Sequence, residues 1–171
     1  MQRAIGVLGV GLLLMGVYDG AEAAPAKSSR AVIEMATGKI VVELYETDAP
    51  GTVANFIKLI KSGFYNGLSF HRVEPGFVVQ GGDPNGNGTG GPGYTIKDEV
   101  NARKHVTGAV AMAKTMAPNS AGSQFYITLA PQPMLDGRYT VFGQVVEGMD
   151  IVAKIKRGDI MKKVTVVGAA Q

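Results

Sequence analysis

Cysteine is absent from the 171-residue chain, so disulfide bonds, zinc–thiolate sites, iron–sulfur clusters and thiol catalysis are excluded. Tryptophan is absent as well. Histidine is scarce, and His71 and His105 alone are too few for a metal site built from several histidines of one chain. The chemistry of the chain therefore rests on other polar, cationic or aromatic side chains.

An excess of charge of one sign is also missing, because 17 Lys+Arg and 14 Asp+Glu leave a net charge of +3. This balance argues against a basic nucleic-acid-binding arm and against a disordered chain. Glycine, by contrast, is abundant: the 24 glycines are about twice the usual share of about 7%. A chain of this length with 46% hydrophobic residues fits one compact domain that is rich in strands and tight turns.

The first 23 residues have the pattern of a secretory signal peptide. Arg3 is followed by an uncharged, apolar stretch over residues 4–17 and then by small residues that include Ala21 and Ala23. The stretch is shorter than the ~20 residues that cross a bilayer. We expect cleavage after Ala23, a flexible lead-in over residues 24–29, a domain over residues 30–171, and export to the periplasm or the medium. An uncleaved anchor and a buried first helix are the alternatives.

Apolar residues at i, i+3, i+4 and i+7 predict a helix that begins near Pro50 and ends before Gly63. These residues are Val53, Phe56, Ile57 and Ile60. A second short helix is expected over residues 149–156, with Val152 and Ile155 facing inward.

Short β-forming runs, each bounded by Gly, Pro, Asn or Asp, predict seven or eight strands. The helices that a parallel sheet would need between its strands are missing. We therefore predict a mainly β protein, a closed antiparallel β-barrel capped by two α-helices. The strands are expected at residues 30–35, 39–45, 68–73, 77–80, 108–113, 124–129, 140–145 and 163–168.

The glycine-rich loop over residues 81–93 does not indicate a nucleotide site. Gly86, Gly88 and Gly91 satisfy the pattern G-x-G-x-x-G. A dinucleotide site also needs a helix that opens directly after the loop, and Pro92 and Gly93 break a helix there. We interpret the segment as a long loop with close backbone approach.

Two segments carry a long and specific pattern. Residues 70–83 read FHRVEPGFVVQGGD, and residues 118–127 read PNSAGSQFYI. With residues 135–137 and 141–143, they closely resemble the cyclophilin family of peptidyl-prolyl cis–trans isomerases, in order, over nearly the whole expected mature chain. The resemblance implies an eight-stranded antiparallel barrel with a helix at each end, which agrees with the strand count.

The reaction of that family needs no covalent bond to break. An X–Pro bond rotates through a twisted amide over a barrier of ~18–20 kcal/mol. In the twisted state the prolyl nitrogen regains a lone pair. A catalyst therefore needs a strong donor aimed at this nitrogen, an apolar slot for the proline ring and polar groups that hold the flanking backbone.

The resemblance assigns catalytic positions to Arg72, Phe77 and Gln80. Arg72 supplies a permanently charged donor, Phe77 is an aromatic wall of the proline pocket, and Gln80 holds a substrate carbonyl and the arginine. The remaining candidates are substrate-binding positions along the same groove, with the backbone of residues 113 and 114 expected to pair with an extended peptide. They are Val78, Gly88, Met112, Ala113, Lys114, Gln124, Tyr126, Met134, Leu135 and Tyr139.

Four positions depart from the familiar eukaryotic pattern of the family. Val78 replaces a methionine, Lys114 an asparagine, Met134 a tryptophan and Tyr139 a histidine. The loss of the indole N–H at Met134 argues against cyclosporin binding. Isomerase activity is less affected, because Arg72 and most of the pocket remain.

The leading hypothesis is an exported, monomeric isomerase that helps proline-containing polypeptides to fold. It uses no metal, nucleotide or other cofactor, binds no nucleic acid and does not insert stably into a membrane after cleavage. The alternative is a chaperone or assembly module that binds proline-containing segments with weak or no turnover. Because bond rotation needs no proton transfer, we expect a structural hydrogen bond for His71. Ser123, His71 and Asp83 lack the spacing of a hydrolase.

Overall fold

The computed structural model describes residues 29–168. The predicted signal peptide, its cleavage point, most of the lead-in and residues 169–171 lie outside the described residues. In the described part, the helices are α1 (Pro50–Lys61) and α2 (Met149–Val152), and a short 3-10 turn covers Pro133–Leu135. The strands are β1 (Arg30–Met35), β2 (Gly38–Leu44), β3 (Arg72–Glu74), β4 (Val78–Gly81), β5 (Ala109–Met112), β6 (Phe125–Thr128), β7 (Val141–Glu147) and β8 (Lys163–Val167).

The strands form one eight-stranded sheet in the order β3-β4-β6-β5-β7-β2-β1-β8, with antiparallel pairing throughout. The sheet curls around a core that contains α1. The mainly β fold with eight antiparallel strands and two helices is thus confirmed.

The expected full closure of the barrel needs a correction, because the sheet is a half-barrel with β3 and β8 as its edges. No ladder joins these two edges in the described chain. The segments that precede them bond instead: Gly67 N–H donates to the Met161 carbonyl at 2.8 Å, and Phe70 N–H to that of Asp159 at 2.9 Å. The run predicted as a strand over residues 68–73 is therefore divided between this contact and β3.

Helix α1 supplies the plug of the half-barrel. Val53, Phe56 and Ile60 of the predicted stripe are buried, and the ring of Phe56 packs against the rings of Tyr65 at 5.1 Å and Phe142 at 5.0 Å. The contact with Phe142 joins the helix to β7 and the contact with Tyr65 joins it to the following turn, so the stripe positions α1 by burying apolar area.

The second helix is shorter than predicted. Hydrogen bonds from i to i+3 replace the α-helical pattern after Ala153, so the chain continues as turns to Ile155. Val152 and Ile155 are buried as expected. Within residues 29–168, no helix is both long enough and apolar enough to cross a bilayer.

A distant carboxylate caps the N-terminus of α1. The residue before the helix, Ala49, offers no side-chain acceptor. Glu99 instead accepts hydrogen bonds from Gly51 N–H at 2.9 Å and from the N–H and hydroxyl of Thr52, both at 2.7 Å. Burial alone would raise the pKa of Glu99, but these hydrogen bonds lower it below its ordinary value. The charge thus lies where the helix dipole favours an anion.

We predict that Glu99→Gln lowers the free energy of unfolding by about 1–2 kcal/mol near neutral pH, because the helix loses its charged cap. A carboxylate whose pKa is lowered by folding stabilises fully above its unfolded pKa of about 4.3, and this contribution is lost as the pH falls through the folded value. The difference in the free energy of unfolding between the wild type and Glu99→Gln should therefore disappear at acidic pH. Urea unfolding at neutral and acidic pH measures it. The exposed Glu147→Gln serves as the control, and a gap that persists in acid contradicts the cap.

Candidate active site

Three adjacent strands place a cation, an amide and an aromatic ring in one row. Arg72 of β3 lies opposite Gln80 of β4, and Gln80 lies opposite Tyr126 of β6. Side chains of directly opposed residues project from the same face of a sheet. Their sequence neighbours Val79 and Ile127 belong to the main core, so the row lies on the face turned away from it.

A cavity of about 210 Å³ opens at this row. Its apolar walls belong to a small hydrophobic cluster that is separate from the main core. The rings of Tyr126 and Tyr139 meet edge to face there, with centroids 5.9 Å apart. Each residue that lines the cavity was predicted from the sequence: Arg72, Phe77, Val78, Gln80, Ala113, Lys114, Tyr126, Leu135 and Tyr139.

A chain of side-chain amides holds the polar edge of the cavity. Arg72 Nη1 donates to Gln80 Oε1 at 3.3 Å, and Gln80 Nε2 donates to Gln124 Oε1 at 3.0 Å. Gln124 Nε2 donates in turn to the carbonyls of Gly88 at 3.0 Å and Gly90 at 2.9 Å. The orientation of both amides is therefore fixed, and the oxygen of Gln80 faces the cation.

Arg72 itself is half exposed. Its Nε lies 3.5 Å from a carboxylate oxygen of Glu74, and its guanidinium carbon lies 5.8 Å from the centre of the Phe77 ring. The pair with Glu74 is open to water and adds little stability. The guanidinium carries five N–H donors, so it can hold Gln80 and still donate to a ligand in the cavity.

A second, larger cavity of about 470 Å³ adjoins the first, with Gln80, Ala113 and Lys114 as shared walls. The predicted Gly88 and Gln124 line this second cavity. Lys114 Nζ donates to Asp98 at 2.8 Å, so the positive charge that lysine brings in place of the usual asparagine is paired. The Ala113 N–H is already bonded to the Gln124 carbonyl, which leaves its own carbonyl for a bound peptide.

The carboxylate of Asp83 organises the glycine-rich loop beside the second cavity. It accepts the N–H groups of Asn85 at 2.8 Å and Asn87 at 2.9 Å, as well as that of Gly88. Burial alone would raise the pKa of Asp83, but these backbone donors and a nearby histidine lower it. Because carbonyls of this loop hold Gln124, Asp83 sets the position of that amide indirectly.

Two predicted site residues lie elsewhere. Met112 is 1% exposed and packs in the main core, whereas its neighbour Ala111 belongs to the pocket cluster. Successive residues of a strand point to opposite faces, so both cannot face the cavity. Met134 is 65% exposed on the 3-10 turn and lines neither cavity, although the adjacent Leu135 does.

The expected hydrogen bond of His71 is also wrong. Its ring is buried, and neither nitrogen has a hydrogen-bond partner among the described residues. Burial is the main reason why the pKa of His71 is lowered. Ser123 donates to the Gly82 carbonyl at 2.7 Å rather than to a histidine. The described residues therefore contain no Ser123–His71 pair of the hydrolase type.

Sequence reasoning missed several residues near the two cavities. His105 and Asp136, which bond behind Tyr126, carry no local pattern that marks them. Loop residues of the second cavity were missed because their contacts are formed between distant segments. They are Thr89, Gly90, Gly91, Pro92, Gly93, Tyr94, Thr95, Thr115, Ser120, Gly122 and Ser123.

Comparison with known proteins identifies the family. The family model described as "Cyclophilin type peptidyl-prolyl cis-trans isomerase/CLD" matches residues 30–169. Peptidyl-prolyl cis-trans isomerase B of Bacillus subtilis is 55% identical over 132 residues, which are 76% of this chain and 92% of that protein. A peptidyl-prolyl cis-trans isomerase of Helicobacter pylori is 48% identical over 151 residues, 86% and 92% of the two chains.

Solved structures agree with this result. The crystal structure of a cyclophilin type peptidyl-prolyl cis-trans isomerase from Cryptosporidium parvum has a TM-score of 0.77 at 30% identity, and the match covers 84% of this chain and 99% of that one. A structure of the same protein in the presence of the dipeptide Ala-Pro has a TM-score of 0.71. The chain belongs to the cyclophilin-type peptidyl-prolyl cis–trans isomerases and is an enzyme of that class.

We predict that Asp83→Asn loosens the glycine-rich loop, because an amide NH2 would then oppose backbone N–H donors. The free energy of unfolding should fall by about 1–3 kcal/mol. Amide hydrogen exchange at Asn87 and Gly88 should become about 10- to 100-fold faster. The control is Asp150→Asn, whose 74% exposed carboxylate pairs with Lys154 at 3.8 Å and contributes little. Unchanged exchange at both amides would refute this role of Asp83.

Proposed function

We propose that the chain catalyses rotation about X–Pro bonds of exported polypeptides without a covalent step, with Arg72 as the donor to the prolyl nitrogen. The observation that carries this mechanism is the guanidinium of Arg72 at the rim of an apolar cavity, with Gln80 bonded to it. The known properties of amides supply the rest of the argument.

In the planar X–Pro bond the nitrogen lone pair is delocalised, and rotation ends that delocalisation. A cation that donates to the nitrogen is therefore bound more strongly by the twisted state than by either planar isomer. Interactions that strengthen in the transition state lower the barrier, and about 1.4 kcal/mol is worth a factor of ten in rate. Phe77, Tyr126 and Leu135 provide apolar contact for the proline ring in this scheme.

The flanking backbone of the substrate follows the groove formed by the two cavities. Gln80 presents polar atoms where they meet, and the carbonyl of Ala113 supplies an acceptor for an extended peptide. The Ala-Pro dipeptide used with the related Cryptosporidium parvum protein supports proline-containing peptides as the ligand class. We propose that the enzyme works as a monomer, without a cofactor and with weak affinity for cyclosporin.

A binding module with weak or no turnover is the alternative, since Val78 stands where methionine is usual and Met134 lies away from the cavity. The isomerase and the binding module would use the same groove, and they differ in the role of Arg72. Arg72 matters for the rate of isomerisation in an enzyme, whereas the cavity alone is sufficient for a binding module.

We predict that Arg72→Ala lowers kcat/KM for isomerisation by about 100- to 1,000-fold, by analogy with the loss of one preorganised donor to a developing charge. The kcat/KM of Arg72→Lys should lie between those of Arg72→Ala and the wild type, because lysine keeps the charge and loses the planar fork of N–H donors. The measurement is proline-limited refolding of a model protein with added enzyme.

The matched control for this experiment is Arg30→Ala, which removes an exposed arginine from β1 and should leave the rate unchanged. Titration with a proline-containing peptide shows whether the variants still bind. Equal acceleration by the wild type and Arg72→Ala would refute the role of Arg72. No acceleration by either protein, with peptide binding retained, would establish the binding module instead.

We also predict that the exported protein begins at Ala24, because the small residues at positions 21 and 23 fit the signal-peptidase pattern. N-terminal sequencing of protein recovered from the periplasm or the medium measures this. Replacing Ala21 and Ala23 by bulky residues should block processing. Recovery of exported protein that starts at Met1 would disprove cleavage.

A further inference from the structure

His105 is a buried histidine that the proposed mechanism does not use. Its side chain is 0% exposed. Nδ1 lies 2.9 Å from Oδ1 of Asp136, and Nε2 lies 3.0 Å from the hydroxyl oxygen of Tyr126. The backbone is held as well: the His105 N–H donates to Asp136 at 2.9 Å, and its carbonyl accepts Gln132 N–H at 2.7 Å. The ring is thus clamped between a carboxylate and the pocket.

The partners of His105 define its tautomer and the direction of both hydrogen bonds. Hydrogen bonds from the backbone and ring of His105 lower the pKa of Asp136, so this carboxyl group is an ionised acceptor. Nδ1 therefore carries a proton toward the carboxylate, and in the tautomer with its single ring proton there Nε2 is the acceptor. Burial raises the pKa of Tyr126, which keeps its hydroxyl protonated and able to donate to Nε2.

The same contacts join three segments that carry pocket walls. Asp136 directly follows Leu135, and the tyrosine bonded to the histidine lines the cavity itself. The side chain of Gln132 donates to the Gly76 carbonyl at 2.9 Å, directly before Phe77. The walls formed by Phe77, Leu135 and the tyrosine therefore share one buried polar support.

The pocket cluster needs such support because it is small and lies apart from the main core. A ring in a deep core is confined by neighbours on all sides. Tyr126 is buried, and its ring meets Tyr139 edge to face and stacks on the His105 ring with centroids 6.0 Å apart, while the open cavity lies on another side. On the cavity side no packing confines the ring, so the contacts with His105 have more weight. The hydrogen bond between the buried Tyr126 hydroxyl and His105 Nε2 holds the outer end of the ring, and the strand backbone holds the other end.

We propose that His105 is a positioning residue, which fixes the ring of Tyr126 and thereby the shape of the proline pocket for substrate binding. This inference deepens the proposed function and rests on it. A misplaced pocket wall weakens the binding of the planar and twisted states alike. Such a loss raises KM and leaves kcat nearly unchanged, whereas the loss of Arg72 lowers kcat.

The test uses two variants that each remove one of the two ring contacts. In His105→Asn, the amide takes the place of Nδ1 and keeps Asp136, but the bond to Tyr126 is lost. In His105→Gln, the amide takes the place of Nε2 and keeps the hydrogen bond to Tyr126, but the side-chain hydrogen bond to Asp136 is lost. We expect His105→Asn and Tyr126→Phe each to raise KM by about threefold to tenfold, the value of one hydrogen bond, while kcat stays within about twofold. His105→Gln should stay near the wild-type KM.

A double variant and a control separate this role from general stability. His105→Asn combined with Tyr126→Phe should raise KM no more than either change alone, because both break the same bond. The control is Asn66→Ala, which removes the Oδ1 atom that accepts the Val164 N–H at 2.9 Å and belongs to a residue that lines neither cavity. It should lower stability and leave KM unchanged. Exchange NMR of a blocked tetrapeptide containing Ala-Pro gives kcat and KM, and titration gives Kd.

The role of His105 and the proposed isomerase activity can fail independently in these measurements. If the wild type fails to accelerate isomerisation, the proposed function fails, and His105 is then judged by Kd for the same peptide. The inference is overturned if His105→Asn and Tyr126→Phe leave KM and Kd at the wild-type values, or if His105→Gln weakens binding as much as His105→Asn. Nitrogen chemical shifts that place the proton on Nε2 would overturn it too.

Discussion

The guanidinium of Arg72 has to keep one direction although about half of its side chain is in water. An exposed ion pair does not supply this constraint, because water and salt weaken it. The direction comes from Gln80, whose own orientation is fixed by Gln124 and the carbonyls of the glycine-rich loop. The loop in turn folds around the buried charge of Asp83. A surface cation is thus tied to a buried carboxylate through amides that each have defined donors and acceptors.

The apolar side of the site follows a different rule, the alternation of side chains along a strand. In β4, β5 and β6, one set of apolar residues fills the half-barrel and the other set belongs to the small cluster that forms the apolar walls of the cavity. Phe125 packs in the core and Tyr126 lines the pocket, one residue apart. The core and the pocket therefore use the same strands, and a shift of register by one residue would exchange them.

These two rules explain how much of the protein its sequence predicts. The stripe of α1 and most strands followed from local periodicity, since each is decided within a few residues. Five of the nine residues that line the smaller cavity lie in two contiguous patterns, residues 70–83 and 118–127, and the family resemblance supplied the other four. Met112 was misplaced because resemblance identifies a position and does not decide the face of a strand.

Contacts between distant segments were beyond such reasoning. The cap of α1 by Glu99 spans 47 residues to Thr52, and the bond between His105 and Asp136 spans 31. Neither pair has a local pattern, because each carboxylate finds its donors only when the sheet has curled. The same holds for the edges of the half-barrel, where residues 67–70 meet residues 158–161.

The position of β1 between β2 and β8 has a consequence for synthesis. Strand β1 can pair with β8 only after β8 has been synthesised, since Arg30 pairs with Val167. At about 5–20 residues per second, the interval between these two strands at the ribosome is on the order of ten seconds. For most of that time both edges of the hairpin formed by β1 and β2 are uncovered and open to wrong pairing, because β2 pairs with the late strand β7. The native sheet is therefore completed only after β8 has been synthesised.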